Sequence, residues 1–252
     1  MNKKNTLIGL RVLNTRPAAQ AHAFSQALRE AGAIPIEFPT LAIEATSLDW
    51  CALMPPLSAI KHAIFISPNA VSCFFNAIKP TSWPPSINTI AMGKGTALAL
   101  TVQGIIAHHI PTRADSECLL ALDTLNHIKN ETILLVKGEG GLPVVKQTLV
   151  KRGAQVLAPE VYRRMIPSLN KKRIHALWHD DAVDMILITS QQAMQHLFTL
   201  FGPAARGWLC SKPFLVLSSR LANIAAAYGV KTMIQSDYNA LVKTLEEYMN
   251  EG

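Results

Sequence analysis

Tyr162, followed directly by Arg163 and Arg164, is where side chains suited to acid chemistry stand together in this 252-residue chain. A phenol held within hydrogen-bond reach of a departing oxygen can supply its proton, and neighbouring guanidinium groups attract an acidic substrate. Packing offers a rival account, a tyrosine against a domain face with two solvated arginines. A second kind of chemistry belongs to six short segments: NTRP (14–17), SPNAV (67–71), GKGTA (93–97), KGEGG (137–141), TSQQA (189–193) and SSRLA (218–222). Each sets small hydroxyl, amide or glycine residues at the start of a helical stretch, where free backbone N–H groups can face an anion. Serine, threonine and asparagine are also good helix caps whatever binds nearby, so both readings stand for every segment. The ligand-contact candidates they supply are Thr15, Arg16, Ser67, Asn69, Ala70, Lys94, Thr96, Lys137, Gly138, Glu139, Thr189, Ser190, Gln191 and Ser219.

More familiar constellations are missing. Gly138 and Gly140 begin a GxGxxG, but Pro143 occupies the place of the third glycine, and Glu160, at a suggestive distance for a ribose contact, follows Pro159. No GxxxxGK[ST] and no GxSxG occurs, which leaves phosphate-loop and serine-hydrolase readings unsupported. Cys51, Cys73, Cys118 and Cys210 are widely spaced, with no CxxC and no histidine at ligand spacing. Reduced thiols and no metal are expected. His108 and His109 sit beside a strand, and His22, His62, His127, His175, His179 and His196 fall on helical or loop stretches as surface or packing residues.

The elements that must position these segments follow one grammar. Apolar strand-like runs alternate with helical stretches, the pattern of βα units around parallel sheets. LRVLNT leads into a helix with Pro17 in its first turn and Gly32 at its stop; TILLVKGEGG leads into LPVVKQTLVKRG, which stops at Gly153. AIFISPNAVSCFF (63–75) pairs with MILITSQQAMQHLF (185–198), and IAMGKGTALALTVQG (90–104) with LVLSSRLANIAAAYG (215–229). The register matches Thr15 with Gly138, Gly32 with Gly153, Pro39 with Pro159, Ser67 with Ser190 and Gly104 with Gly229. Four units in order argue for an internal duplication with about five βα units per copy. After Pro39 and after Pro159 the chain continues extended, as TLAIE and EVYRR. Proline tends to end a strand, so the copies are either tandem domains split near NHIKNET or domains that lend their first strands to one another across a two-stranded hinge. On such a hinge Tyr162 lies in the cleft between the domains.

Composition sets the wider frame. Apolar residues make up 49% and charged residues 16% of the chain, enough to build buried cores. Lys and Arg outnumber Asp and Glu by 24 to 17, a formal charge of +7. An anionic partner fits that excess, and so does mere solubility. The basic residues are dispersed and form no recognition motif, against nucleic acid. The first apolar run, Leu7 to Leu10, is short for a signal segment, and no run approaches a membrane span. A cytoplasmic protein is expected, with no membrane partner.

Taken together, NTRP, ALREAGAIPIEFPTLAIE, FISPNAV, GKGTA, LLVKGEGG, LVKRGAQVLAPEVYRR, ILITSQQA and LSSRLANIAAAYGV, in this order, resemble the uroporphyrinogen-III synthase family over nearly the whole chain. The resemblance implies an α/β fold of two similar parallel-sheet, flavodoxin-like domains joined by a two-stranded antiparallel hinge, with first strands exchanged between sequence halves. It implies domains of residues 1–38 with 166–252 and of 44–158, with hinge strands at 39–43 and 159–165. It implies a cofactor-free, monomeric lyase that converts the anionic linear tetrapyrrole hydroxymethylbilane into uroporphyrinogen III, in transient contact with the preceding pathway enzyme. Tyr162 matches the family tyrosine assigned to loss of the terminal hydroxyl, and Thr96 a threonine lining the cleft. Three departures stand out: Ser218–Leu221 replace a threonine-bearing segment, with Ser219 as a substitute; Leu142 stands where the glycine-rich loop ends in arginine; and Lys137 stands where arginine is frequent. A noncatalytic two-domain binder or carrier of an anionic tetrapyrrole is the alternative that the altered segment Ser218–Leu221 leaves open.

Overall fold

The computed structural model describes residues 7–141 and 143–251. The chain opens with β1 (Arg11–Asn14), α1 (Ala18–Glu30) and β2 (Ile34–Glu37). It then passes through β3 (Ala42–Ala45), α2 (Asp49–Ala52), β4 (His62–Phe65), α3 (Pro68–Ala77), β5 (Asn88–Ala91), α4 (Lys94–Val102), α5 (Ser116–Leu120), β6 (Thr132–Gly138), α6 (Pro143–Lys151) and β7 (Gln155–Leu157). It leaves this region by β8 (Glu160–Met165) and closes with α7 (Lys171–His179), β9 (Met185–Ile188), α8 (Gln191–Phe201), α9 (Arg206–Ser211), β10 (Phe214–Val216), α10 (Ser219–Tyr228), β11 (Met233–Gln235) and α11 (Leu241–Glu251). The contacts divide it into two units, Met1–Ala42 with Met165–Gly252, and Ile43–Arg164.

In the discontinuous unit the strands run in the order β11-β10-β9-β1-β2, all parallel. This is the doubly wound arrangement in which ligands meet the carboxyl ends of the strands. Alternation along each strand divides the core into two layers. Leu13, Ile186, Ile188, Phe214 and Val216 pack with Met194, Leu197 and Leu221. Val12, Met185, Leu187 and Leu215 pack with Phe24, Leu28 and Leu245. Both faces of the sheet are covered, so its strands read as unbroken apolar runs.

The continuous unit repeats the scheme with β7, β6, β4 and β5 in parallel and a single bridge from Ile90 to His109 beyond β5. One layer packs Phe65, Leu134 and Val136 with Phe74, Phe75 and Trp83; the other packs Ile64, Ile133 and Leu135 with Leu119 and Leu149. Gly32 and Gly153 occupy the same place in the two units, two residues past the end of α1 and of α6, at φ +90° and +88°. A Cβ is strained there, which is why each helix stops where it does.

Several details differ from the sequence reading. Pro17 caps α1 rather than entering its first turn. His62 is not on a helix or loop; it begins β4, is 4% exposed, and its Nε2 lies 2.8 Å from Glu131. The first linking strand is Ala42–Ala45, not 39–43, because Pro39 lacks an N–H and Thr40 is tied to β1, its N–H and hydroxyl both donating to the Thr15 carbonyl at 3.2 Å. β3 lies beside β8. Thr46 N–H donates to the Val161 carbonyl and Arg163 Nε to Glu44, so numbering rises on one strand as it falls on the other, an antiparallel pair.

Among the described residues no helix is long and apolar enough to cross a membrane, and no group of three or more His, Cys, Asp or Glu side chains is placed to hold a metal ion. All four cysteines are free thiols.

Candidate active site

β8 leaves β6 at a register shift between Lys137 and Gly138, and Gly138 pairs with Tyr162. The Tyr162 ring is 1% exposed and lies against the Gly138 backbone so closely that a Cβ on residue 138 would stand 2.5 Å from the ring Cζ. Only glycine permits that approach. The Glu139 N–H donates to the Tyr162 carbonyl at 2.8 Å, fixing the backbone as well as the ring. Tyr162 therefore has the packing that the rival reading expected. It also has a polar end: its hydroxyl oxygen is 3.1 Å from Ser67 Oγ and accepts from Arg164 Nη2 at 3.0 Å. The Arg164 Cζ lies 5.3 Å from the ring centroid, within cation–π range.

Ser67 ends the β4 exit and caps α3, its Oγ accepting from Ala70 N–H at 3.1 Å. Ala70 is buried and its N–H is taken by this cap, so it is not a donor for a ligand. Asn69, half-buried, lies in the first turn of α3. Lys94 begins α4, exposed, and Thr96 is buried within its first turn, its N–H bonded to the Gly93 carbonyl at 3.0 Å. A cavity of about 530 Å³ opens beside the tyrosine, lined among others by Ile66, Met92, Asp115, Lys137, Tyr162 and Arg164.

A larger cavity, about 630 Å³, lies within the same unit on the side of Thr46, Trp50, Lys146 and Glu160. Its charged centre is already paired. Lys137, 8% exposed, is bonded to Glu160, which also accepts from Gly140 N–H at 3.3 Å. The hydrogen bond from Lys137 holds the Glu160 carboxyl below its ordinary range. The smaller cavity, with Tyr162 at its wall and the phenol bonded to Ser67 and Arg164, is the better place for chemistry. Glu139 is exposed, and Leu142 lies outside the described residues.

The discontinuous unit presents its own strand ends. Ser190 repeats the Ser67 cap, Oγ accepting from Ala193 N–H at 3.0 Å, with Thr189 half-buried before it and Gln191 exposed after it. Gln191 Oε1 accepts from Arg220 at 3.2 Å. Ser218, not Ser219, caps α10; Ser219 donates to Gln235 Oε1 at 2.9 Å. Thr15 is not an exposed donor. It is 0% exposed and its hydroxyl donates to the Leu187 carbonyl, tying β1 to β9. Arg16 is 5% exposed because Tyr238 covers it, the ring centroid 4.6 Å from its Cζ and the phenol oxygen accepting from its Nη2.

Two of these residues, Tyr238 and Asp115, escaped the sequence reading of the site, and a third, Arg164, was not told apart there from Arg163. Tyr238 lies after β11, a further strand exit whose IQSDYN has the same small polar grammar as the other six segments. Arg164 and Arg163 read alike in sequence, but alternation along β8 sends one to Tyr162 and the other to Glu44 at 3.0 Å. Asp115 caps the short helix α5, its Oδ1 accepting from Cys118 N–H at 2.8 Å, and gives no sequence signal of lining a cavity.

Comparison with known proteins agrees with this arrangement. A family model described as "Uroporphyrinogen-III synthase HemD" matches residues 22–241. The uroporphyrinogen-III synthase of Salmonella typhimurium is 30% identical, over 93% of this chain and 99% of the relative, and that of Escherichia coli K12 is likewise 30% identical over 93% and 99%. Two solved structures share the fold: a mutant uroporphyrinogen III synthase from Thermus thermophilus, TM-score 0.60 at 19% identity over 96% of this chain and 98% of that one, and the uroporphyrinogen-III synthetase of Helicobacter pylori 26695, TM-score 0.61 at 12% identity over 97% and 100%. With the duplicated α/β design, the ordered strand-end segments and the tyrosine on β8 all present, the chain belongs to the uroporphyrinogen-III synthase family.

Proposed function

We propose that this protein closes hydroxymethylbilane to uroporphyrinogen III with Tyr162 assisting loss of the terminal hydroxyl, and that it works as a cytoplasmic monomer in transient contact with the enzyme that supplies the linear substrate. The observation that carries the catalytic assignment is the Tyr162 hydroxyl, held by Ser67 and Arg164 at the wall of a cavity. Departure of the hydroxyl as water leaves an electrophilic azafulvene. The substituted carbon of the last pyrrole attacks it to form a spiro intermediate, and rearrangement inverts that ring.

The linear substrate also closes unaided to the wrong isomer, so the protein must above all hold one geometry of a flexible polycarboxylate. Arg164, at the cavity wall of the continuous unit, suits that role. No metal or organic cofactor enters the reading. The test is isomer analysis with freshly generated hydroxymethylbilane, the product oxidised and separated into types I and III. Type III formed faster than spontaneous closure is expected. A noncatalytic carrier would bind the substrate and return type I alone at the spontaneous rate, and that result removes the assignment.

A further inference from the structure

Resting on the function proposed above, the inventory of protons at Tyr162 decides which atom meets the substrate. A guanidinium only donates, so the Tyr162 oxygen accepts from Arg164 at 3.0 Å. Ser67 Oγ accepts from Ala70 N–H at 3.1 Å. Between the two oxygens, 3.1 Å apart, one hydroxyl donates to the other, and a single hydroxyl proton remains with no acceptor among the described residues. Tyr162 is 1% exposed, whereas Ser67 is only half-buried at the mouth of β4. We assign the remaining proton to Ser67, the more exposed of the two residues.

We propose that Ser67 is the catalytic residue that protonates the departing hydroxyl, with Tyr162 resupplying its proton and Arg164 holding the phenol oxygen. The substrate C–O bond breaks with both electrons leaving on oxygen, and that oxygen takes the Ser67 proton to become water. Ser67 takes the Tyr162 proton in the same movement, and the phenolate is left beside Arg164. The phenol is restored by the proton released when the last pyrrole regains its aromaticity by losing a ring-carbon hydrogen. Protons and charge balance over the cycle, and the only other product is water.

The internal duplication supplies a comparison within the same chain. Ser190 matches Ser67 in sequence, backbone and cap: φ −154° and ψ 156° against −158° and 162°, with cap bonds of 3.0 and 3.1 Å. Carrying the register of Pro39 and Pro159 forward sets Ala42 opposite Tyr162 and Glu44 opposite Arg164. One copy of the capping serine thus has a phenol and a cation behind it, and the other position has no counterpart to either. A cap alone needs neither partner, so capping does not explain what was added at Ser67.

The test compares single-turnover closure by wild type, Ser67→Ala, Ser67→Asn, Ser67→Thr, Tyr162→Phe and the double variant Ser67→Ala/Tyr162→Phe. Asparagine keeps the cap without a hydroxyl, and threonine keeps both. Loss of about 100-fold or more is expected for the alanine and asparagine variants, the scale of general acid catalysis. Threonine should recover most of it, product affinity should hold throughout, and the double variant should be no slower than Ser67→Ala, as for residues acting as one unit. In mixed light and heavy water the wild-type rate should bow with isotope fraction, since two protons move, and Tyr162→Phe should straighten it. Closure by Ser67→Asn within about threefold of wild type, on the same scale, overturns the proposal and returns the donor role to the phenol. Should wild type itself yield type I alone, the functional assignment fails instead, and the two failures are distinct.

Discussion

Gly138 and Tyr162 constrain one another, and each yields an expectation. A methyl group on residue 138 would meet the ring at 2.5 Å from Cζ, 2.8 Å from Cε2 and 3.0 Å from Cε1, against a side chain that is 1% exposed. Gly138→Ala should therefore destabilise the continuous unit by about 1–3 kcal/mol, the scale of overpacking, and slow closure by displacing the hydroxyl from Ser67 and Arg164. Denaturant unfolding and the rate of type III formation measure the two effects; a variant as stable as wild type would mean that the ring tolerates displacement. Tyr162→Phe removes the hydroxyl and leaves the packing. It should lower the closure rate by about 10²–10⁴-fold with substrate affinity kept, read by single-turnover kinetics against a binding titration. Wild-type kinetics would reduce Tyr162 to a packing residue.

Among the elements, β1 shows how an ion pair fixes register. Arg11 donates to Asp184 through its backbone N–H at 2.8 Å, Nε at 2.9 Å and Nη2 at 2.5 Å, pinning the start of β1 beside β9. The hydrogen bond from Arg11 holds the Asp184 carboxyl below its usual range. A depressed carboxylate stabilises the fold above its unfolded-state value, about pH 4, and that contribution fades as pH falls through the lower folded value. Asp184→Asn should lower stability at neutral pH by about 1 kcal/mol, a modest figure because the side chains are one-third exposed. It should also flatten the acid limb of a melting-temperature profile below about pH 4. An unchanged acid limb would show that the pair does not couple to folding. The same scale explains what sequence could and could not tell. Strand and helix order was legible because apolar runs such as MILI and TILLV sit on sheets buried on both faces, and because Gly32 and Gly153 mark helix ends. The link at Pro39 was placed early because the tie from Thr40 to Thr15 joins distant positions and leaves no local pattern. His62 was misplaced for a similar reason: its partners Glu131 and Asn88 are remote in sequence. At the site, the cap serines were readable from small residues before helices, whereas the engagement of Lys137 by Glu160 and of Arg16 by Tyr238 depends on strands meeting in space.

For the molecule as a whole, the continuous unit holds its own two apolar layers, and its sheet lies within residues 43–164 but for Ala42 of β3 and Met165 of β8. Excised as residues 43–164 it should fold by itself, giving one cooperative denaturant transition with the near-ultraviolet signature of packed Phe65, Phe74 and Trp83. A broad, non-cooperative transition would show that it needs the flanking segments. The discontinuous unit is built differently, since β1 takes as its neighbour β9, whose residues follow the whole continuous unit. That nesting dictates an order of events on the ribosome. The inner portion is complete in sequence once Arg164 has emerged, while β1 and β2 must wait, unpartnered on one side, until the last third of the chain is synthesised. Nascent chains halted just beyond that point would carry a finished inner body on an unfinished leader, and the exposed edge of β1 would be the part of this protein most in need of protection during its birth.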